Sequence, residues 1–480
     1  MMKKINRLKR FLTFLVFICF ASAHCAAQKT TLEPLDKRID TVLTNFGQNL
    51  DIGLFVVDAK SGKVLYQKDI DRYFMPASNQ KLFTAFAALQ YLGSDYTYRT
   101  ALFADYKKMK KGRLEDNLYL QFSGDPTFTF LQFELLINSL TQAGVKQIKG
   151  NVIIDDSAFD QMALSPGTSW DDQDYCWSSP LSALIVNHNC VSALVSPAEA
   201  INKPAKLELP NFPQSMKFVN QVVTGAETTK NCAIRAKRTD LQTYTLQGCI
   251  KVNAKPQTIE MAISNPQENI RFLLKHLLAK NQIAIKGKIE FKSFTASAKP
   301  FAVQISPPLK IMVATMLKES DNTIANALFK TMGADFAHEA GSFTNGSRAV
   351  REILAQAAQL KLPKRTLIDG SGGSRYNFLT PHQIMVLLQK IFNSPSATDF
   401  IGSLAIAGVD GTLKDRLIDP LTRGRIYAKT GSVTAVTNLA GFLNTQNERT
   451  LIFVFMINGY TDSASKYVAL EDKLCKLLMN

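Results

Sequence analysis

Ser78-Asn79-Gln80-Lys81 puts a hydroxyl and an amine three residues apart at the start of an apolar run, 78–92, that reads as a helix closed by Gly93. Positions i and i+3 share a helix face, so the two groups point the same way. A serine hydroxyl is a weak nucleophile and needs a base. A lysine can be that base only when its amine is neutral, which burial and a second nearby cation both favour. The helix start adds a positive dipole end and a free backbone N–H beneath the nucleophile. Alone the spacing says little. Ser463-Ala464-Ser465-Lys466 has it too and reads as a solvated helix start.

Two further elements, each unique in the chain, raise its weight. Ser320-Asp321-Asn322 falls between two helical patterns, and Lys429-Thr430-Gly431 lies just before a strand that begins near Thr437. The order S-x-x-K, S-x-N, K-T-G resembles that of the penicillin-recognising serine acyltransferases. Each residue type has a task in that chemistry. Ser78 attacks a peptide carbonyl and Lys81 takes its proton. Ser320 relays a proton to the leaving amine. Asn322 holds the substrate amide and the Lys81 side chain. Lys429 supplies a cation that depresses Lys81 and attracts a substrate carboxylate, to which Thr430 can hydrogen-bond. The backbone N–H groups of Ser78 and Ser432 form the oxyanion hole. A Ser-His-Asp arrangement is disfavoured, since the chain has no G-x-S-x-G elbow and no histidine with an evident role.

The elements that must position these residues fall into two textures. A helix over 35–49, a hairpin of strands 52–58 and 63–68, and the helix 78–92 open the chain. From about 95 to 295 short β-like runs alternate with turn residues, with one helix, 269–279. Helices then return at 309–319, 323–332, 347–360 and 381–392, followed by strands 437–443 and 450–457 and a closing helix 465–478. The last two strands are apolar throughout, as in a sheet covered on both faces. This divides the chain into 1–27, a targeting segment; 28–94 with 296–480, a catalytic domain; and 95–295, an inserted, mostly β region with 166–257 nested inside it.

The chain as a whole resembles the low-molecular-mass class C penicillin-binding proteins, the D-alanyl-D-alanine carboxypeptidase/endopeptidases of the penicillin-binding protein 4 type. Beyond the three motifs, Ser123-Gly124-Asp125-Pro126, Gly150-Asn151-Val152-Ile153-Ile154-Asp155, Asp369-Gly370-Ser371-Gly372, Ser374-Arg375-Tyr376-Asn377 and Ala407-Gly408-Val409-Asp410-Gly411-Thr412-Leu413 carry the likeness. A long insertion between the first two motifs belongs to it, and here Ser78 and Ser320 are 242 positions apart. The resemblance implies an α+β fold: a transpeptidase/β-lactamase-like domain with an antiparallel sheet of five strands between helices, plus inserted mostly β domains. It implies cleavage of D-Ala-D-Ala ends and D-Ala-diaminopimelate cross-links of peptidoglycan stem peptides, and acylation by β-lactams. It assigns substrate contacts to Asp155, with Phe159 beside it, and to Arg375; turn capping by Asp155 and pairing of Arg375 with Asp369 are the alternatives. Gly373 departs from the bulky apolar residue usual there, which could loosen the loop before Ser374. A serine β-lactamase and a non-catalytic wall-binding scaffold are the rival readings.

Composition is that of a globular protein, 46% hydrophobic and 20% charged over 480 residues, enough for several domains. The formal charge is +16, and removing the five cations of the first ten residues leaves +11. Those cations precede an apolar run, 11–21, and the small residues Ala21-Ser22-Ala23 and Cys25-Ala26-Ala27. That pattern is a cleaved signal peptide and implies a periplasmic protein. No nucleic-acid-binding motif accompanies the basic charge, which suits at most a peripheral association with membrane or wall. Export favours disulfides between near neighbours, Cys176 with Cys190 and Cys232 with Cys249, 14 and 17 apart. Zinc would need four tightly spaced ligands, and neither C-x-x-C nor HExxH occurs, so no metal or other cofactor is expected.

Overall fold

Strand runs from the two ends of the chain build one sheet. The computed structural model describes residues 33–46, 50–210, 213–295 and 299–479. The targeting segment 1–27 and part of the expected boundary near 296 lie outside them. A short helix, Leu35–Thr44, precedes the body and is described by itself.

The central sheet runs, in spatial order, Ala405–Ile406, Ile426–Val433, Val436–Asn444, Thr450–Asn458, Asp51–Asp58, Val64–Lys68, every pair antiparallel. The two-residue strand Ala405–Ile406 extends the expected five to six. Lys429-Thr430-Gly431 precedes the expected strand, here Val436–Asn444, and itself lies within a further strand, Ile426–Val433, that the sequence reading did not assign. Val436–Asn444 and Thr450–Asn458 are buried almost end to end. Ala440, Phe442, Ile452, Val454 and Met456 face a core shared with Phe83, Phe86, Met312, Leu328 and Leu388, which come from four helices. The C-terminal helix Ala464–Leu478 packs on strand Val436–Asn444 and buries Leu470, Leu474 and the free Cys475. Helices therefore flank this sheet, which is why its strands show no alternation.

The inserted region contains more helix than its sequence suggested. Phe130–Gln142 is a helix, started by a reciprocal cap between Thr129 and Gln132. With Pro266–Lys280 it covers a five-stranded mixed sheet, ordered Ile289–Phe291, Val152–Asp155, Leu118–Gln121, Arg99–Phe103, Ala302–Ile305. Two three-stranded sheets nest farther in and share the core residues Val191, Val195, Val222, Tyr244, Leu246 and Met261. Cys176 bonds Cys190, and Cys232 bonds Cys249. Among the described residues no helix is long and apolar enough to cross a membrane.

Candidate active site

The approach to Ser78 is tied to the sheet. Buried Asn438, on strand Val436–Asn444, donates to the carbonyls of Met75 and Pro76, each at 2.9 Å. Asn458 Oδ1 accepts the Met75 N–H at 2.8 Å. The chain then passes through Ala77 at φ +45° into a 3-10 turn, Ala77–Gln80, and the α-helix starts only at Lys81. The expected helix start at Ser78 is thus replaced by a tighter turn, a common helix N-terminal variant. In a 3-10 turn residues i and i+3 eclipse one another. Ser78 Oγ and Lys81 Nζ are 2.8 Å apart.

Lys81 is fully buried and has two other partners. Its Nζ donates to Asn322 Oδ1 at 2.6 Å and to the Ser371 carbonyl at 2.9 Å. The Asn322 amide cannot be reversed, because its Nδ2 donates to the Trp177 carbonyl at 2.6 Å. Two of the three positions around the nitrogen therefore face obligate acceptors and must carry N–H groups. In the neutral amine the remaining position is the lone pair, and it faces the Ser78 hydroxyl. Burial pushes the Lys81 pKa down to about 7, opposed by the charges of Asp369 and Asp321.

Lys429 is also fully buried, and its Nζ donates to the Thr430 carbonyl at 2.9 Å. Burial and then repulsion from Lys81 push its pKa well below the usual lysine value. Desolvation is the largest cause of the Lys81 shift, and the repulsion between the two amines disfavours charge on both. The Thr430 hydroxyl donates to Thr412 Oγ1 at 2.8 Å.

Ser78, Ser320, Asn322, Ser432 and Arg375 line one cavity of about 670 Å³. Ser320 is held at φ +62° immediately before Asp321, which caps the helix Asn322–Ala337 by accepting the Ile324 N–H at 2.8 Å. Arg375 Nη1 donates to the Thr434 carbonyl at 3.2 Å, and the structure gives it no pairing with Asp369. The Asp369 carboxylate is occupied by the backbone N–H groups of Gly372 and Ser374 and by Asn377 Nδ2. Those bonds hold the loop containing Gly373. Gly372 needs its glycine: at φ +84°, a Cβ would lie 1.8 Å from the Ala77 carbonyl oxygen.

Asp155 and Phe159 are elsewhere. Asp155 accepts from Gln121 Nε2, Ser157 N–H and Ser157 Oγ, which is turn capping, and it does not line the cavity. Phe159 is buried against Gly124 and Gly341. Instead, the cavity wall includes Asp172 and Trp177 from the nested region. Neither has a sequence signal of its own. Asp369 and Ser371, which anchor Lys81 and the loop, could have been found in the run Asp369-Gly370-Ser371-Gly372. Among the described residues no group of His, Cys, Asp and Glu could hold a metal ion.

Residues 35–478 match the model of the D-Ala-D-Ala carboxypeptidase 3 (S13) family. The chain is 30% identical over 414 residues to the D-alanyl-D-alanine carboxypeptidase DacB of Haemophilus influenzae, covering 86% of each chain. It is similar to the crystal structure of penicillin-binding protein 4 (dacB) from that organism, with TM-score 0.81, 28% identity, and 92% and 99% of the two chains covered. The structure of that protein complexed with a β-lactam gives TM-score 0.77 at 26% identity, with the same coverage of both chains.

Proposed function

The chain belongs to the D-Ala-D-Ala carboxypeptidase 3 (S13) family, and from that premise we propose that it is a periplasmic serine DD-peptidase working through an acyl-enzyme on Ser78. In this reading Lys81 Nζ accepts the Ser78 proton as Oγ bonds to the carbonyl carbon of the penultimate D-alanine. The resulting oxyanion is held by the N–H groups of Ser78 and Ser432. Collapse breaks the peptide C–N bond, and the leaving amine receives the proton from Lys81 through Ser320. Water then hydrolyses the ester, with Lys81 acting as base a second time. Asn322 holds Lys81 and the substrate amide, while Lys429 and Thr430 serve the terminal carboxylate. A β-lactam would open on Ser78 by the same first step.

Cross-link cleavage is the finer part of the proposal. An unlinked diaminopimelate at the third position of the donor stem brings both a free amine and a carboxylate to the cleft, whereas the cross-linked one keeps only its carboxylate free. Asp172 and Arg375 offer the two complementary charges from the cleft walls. Asp155 and Phe159 drop out of the proposed substrate contacts. In domain terms we keep a catalytic part split by an insertion, with the return crossing placed after Ala302–Ile305, because that strand pairs with Arg99–Phe103.

The observation that carries the reading is the 2.8 Å contact between Lys81 Nζ and Ser78 Oγ, with Asn322 Oδ1 and the Ser371 carbonyl taking the two other positions at that nitrogen. The experiment is mass spectrometry after exposure to penicillin, with the adduct mapped to a peptide. A long-lived adduct on Ser78 and loss of D-alanine release in Ser78→Ala are expected. An adduct on another serine would overturn the proposal, and rapid turnover of the Ser78 adduct would indicate a β-lactamase instead.

A further inference from the structure

The chain has two tryptophans, and both sit on the stretch beside the Ser78 cavity. Trp170 is 81% exposed and Trp177 is 54% exposed. Indole is an apolar body with a single donor and ordinarily supplies core or contact area, so two such exposures at one cavity mouth point to a ligand. The two rings differ in situation. Trp177 lines the cavity and is stacked on Tyr175, with ring centroids 4.3 Å apart and planes 7° from parallel. Trp170 lies between two cavity-lining residues, Thr168 and Asp172, but itself faces outward; among the described residues no ring packs on it.

The support under Trp170 is ordered. Its 3-10 turn, Trp170–Asp172, is bonded back by Asp172 N–H to the Ser169 carbonyl. Ser165 Oγ donates to Asp369, Ser374 Oγ donates to the Pro166 carbonyl, and Arg375 N–H donates to the Gly167 carbonyl. Gly167 takes φ +80° and lies so close to the Tyr376 ring that a Cβ there would meet it at 2.8 Å. Tyr376 is itself 59% exposed. The outward rings are thus mounted on two loops bonded to each other and to the catalytic residues' supports, so binding would cost little ordering entropy.

We infer that Trp170, with Tyr376, is a saccharide-stacking rim that takes the neutral N-acetylated sugar from which a stem peptide hangs. This rests on the DD-peptidase reading above for the placement of the peptide. A pyranose ring offers a face of C–H bonds to an indole and a girdle of hydroxyl donors to acceptors. The residues following Trp170 are the carboxylates Asp171 and Asp172, acceptors for such donors. The same two charges disfavour an anionic polymer at this spot.

The test uses tryptophan emission. Ser78→Ala with Trp177→Phe leaves Trp170 as the sole indole and prevents turnover. Titration with tetra-N-acetylchitotetraose should give a saturable blue shift, while a stem pentapeptide without sugar should not. In the Ser78-active protein, Trp170→Ala should lower the ratio of kcat/KM on glycan-linked over sugar-free pentapeptide about tenfold, as for loss of one stacked ring, and Trp170→Phe should restore most of it. A shift caused by the peptide alone, a shift that follows protein concentration without ligand, or an unchanged ratio would each overturn the inference. A missing penicillin adduct on Ser78 would overturn the DD-peptidase reading instead, while leaving the sugar titration interpretable.

Discussion

Asp321→Asn should move the acid limb of acylation to lower pH. Burial holds Lys81 near 7, and the charges of Asp369 and Asp321 pull it back up. Asp369 is a poor target, since its carboxylate carries the backbone N–H bonds of the 369–377 loop. Asp321 is cleaner. Asparagine keeps the Oδ1 acceptor for the Ile324 N–H and so preserves the helix cap. The carboxylate sits one residue before Asn322, whose Oδ1 touches Lys81 Nζ. A unit charge pair at about 10 Å in an effective dielectric of about 20 is worth about 1.7 kcal/mol, or about one pKa unit. Its side chain is 19% exposed and has His188 Nδ1 at 3.2 Å, so screening reduces this to about half a unit. The assay is the second-order rate constant for acylation by a fluorescent penicillin, measured from pH 4 to 9 in wild type and variant. The wild-type rate should rise as Lys81 loses its proton, with a midpoint near 7; the variant midpoint should lie lower by about half a unit to one unit. A variant limb that stays put or moves up, or a wild-type limb near the ordinary lysine value, refutes the assignment of Lys81 as base.

Lys81→Met should stabilise the protein at pH 6, with the gain shrinking as pH rises. Folding lowers the lysine from 10.5 to about 7. The unfolded state therefore binds the extra proton between these values, and wild-type stability climbs through that window. The full cost below pH 7 is about 5 kcal/mol, reduced by the acceptors the methionine leaves unpaired, so a gain of a few kcal/mol in urea unfolding at pH 6 is expected. Gly372→Ala would drive a methyl into the Ala77 carbonyl. Displacing the Ser78 turn by about 1 Å should cost about 100-fold in penicillin acylation, a loss Gly373→Ala should not match. Arg416→Ala should lower stability by about 3–5 kcal/mol in thermal or urea unfolding, because it strips the partner 2.9 Å from Glu471, which is fully buried and pushed up to about 7 by that burial.

The legible part of this protein is the part written in local spacing. Ser78, Ser320, Asn322 and Ser432, the residue after Lys429-Thr430-Gly431, line one cavity, and the helix Pro381–Phe392 and strand Thr450–Asn458 sit where their apolar patterns put them. The missed helix Phe130–Gln142 had its signal, Thr129 followed by Gln132 before an apolar run, hidden by a region otherwise rich in β residues. Asp172 and Trp177 were out of reach for a different reason. They enter the cleft because the nested sheets and the Cys176–Cys190 bond fold a distant loop against Asn322, an arrangement that no spacing along the chain encodes. Asp155 shows the opposite error, a carboxylate given a ligand on resemblance when its three donors lie within its own sheet and turn.

The two lysines make most sense together. Two ammonium groups fully buried at one site repel strongly, and near neutral pH the pair holds fewer than two protons. The charges of Asp369 and Asp321 favour a proton on Lys81, while Lys429 Nζ donates to the Thr430 carbonyl. A carboxylate arriving beside Lys429 would favour charge on Lys429, and that charge would in turn disfavour a proton on Lys81. The base would then be freed by the substrate's own terminal charge. A cavity built this way would be most reactive toward chains that end in a carboxylate, and the buried position of Lys429 would serve the chemistry through its field rather than through contact.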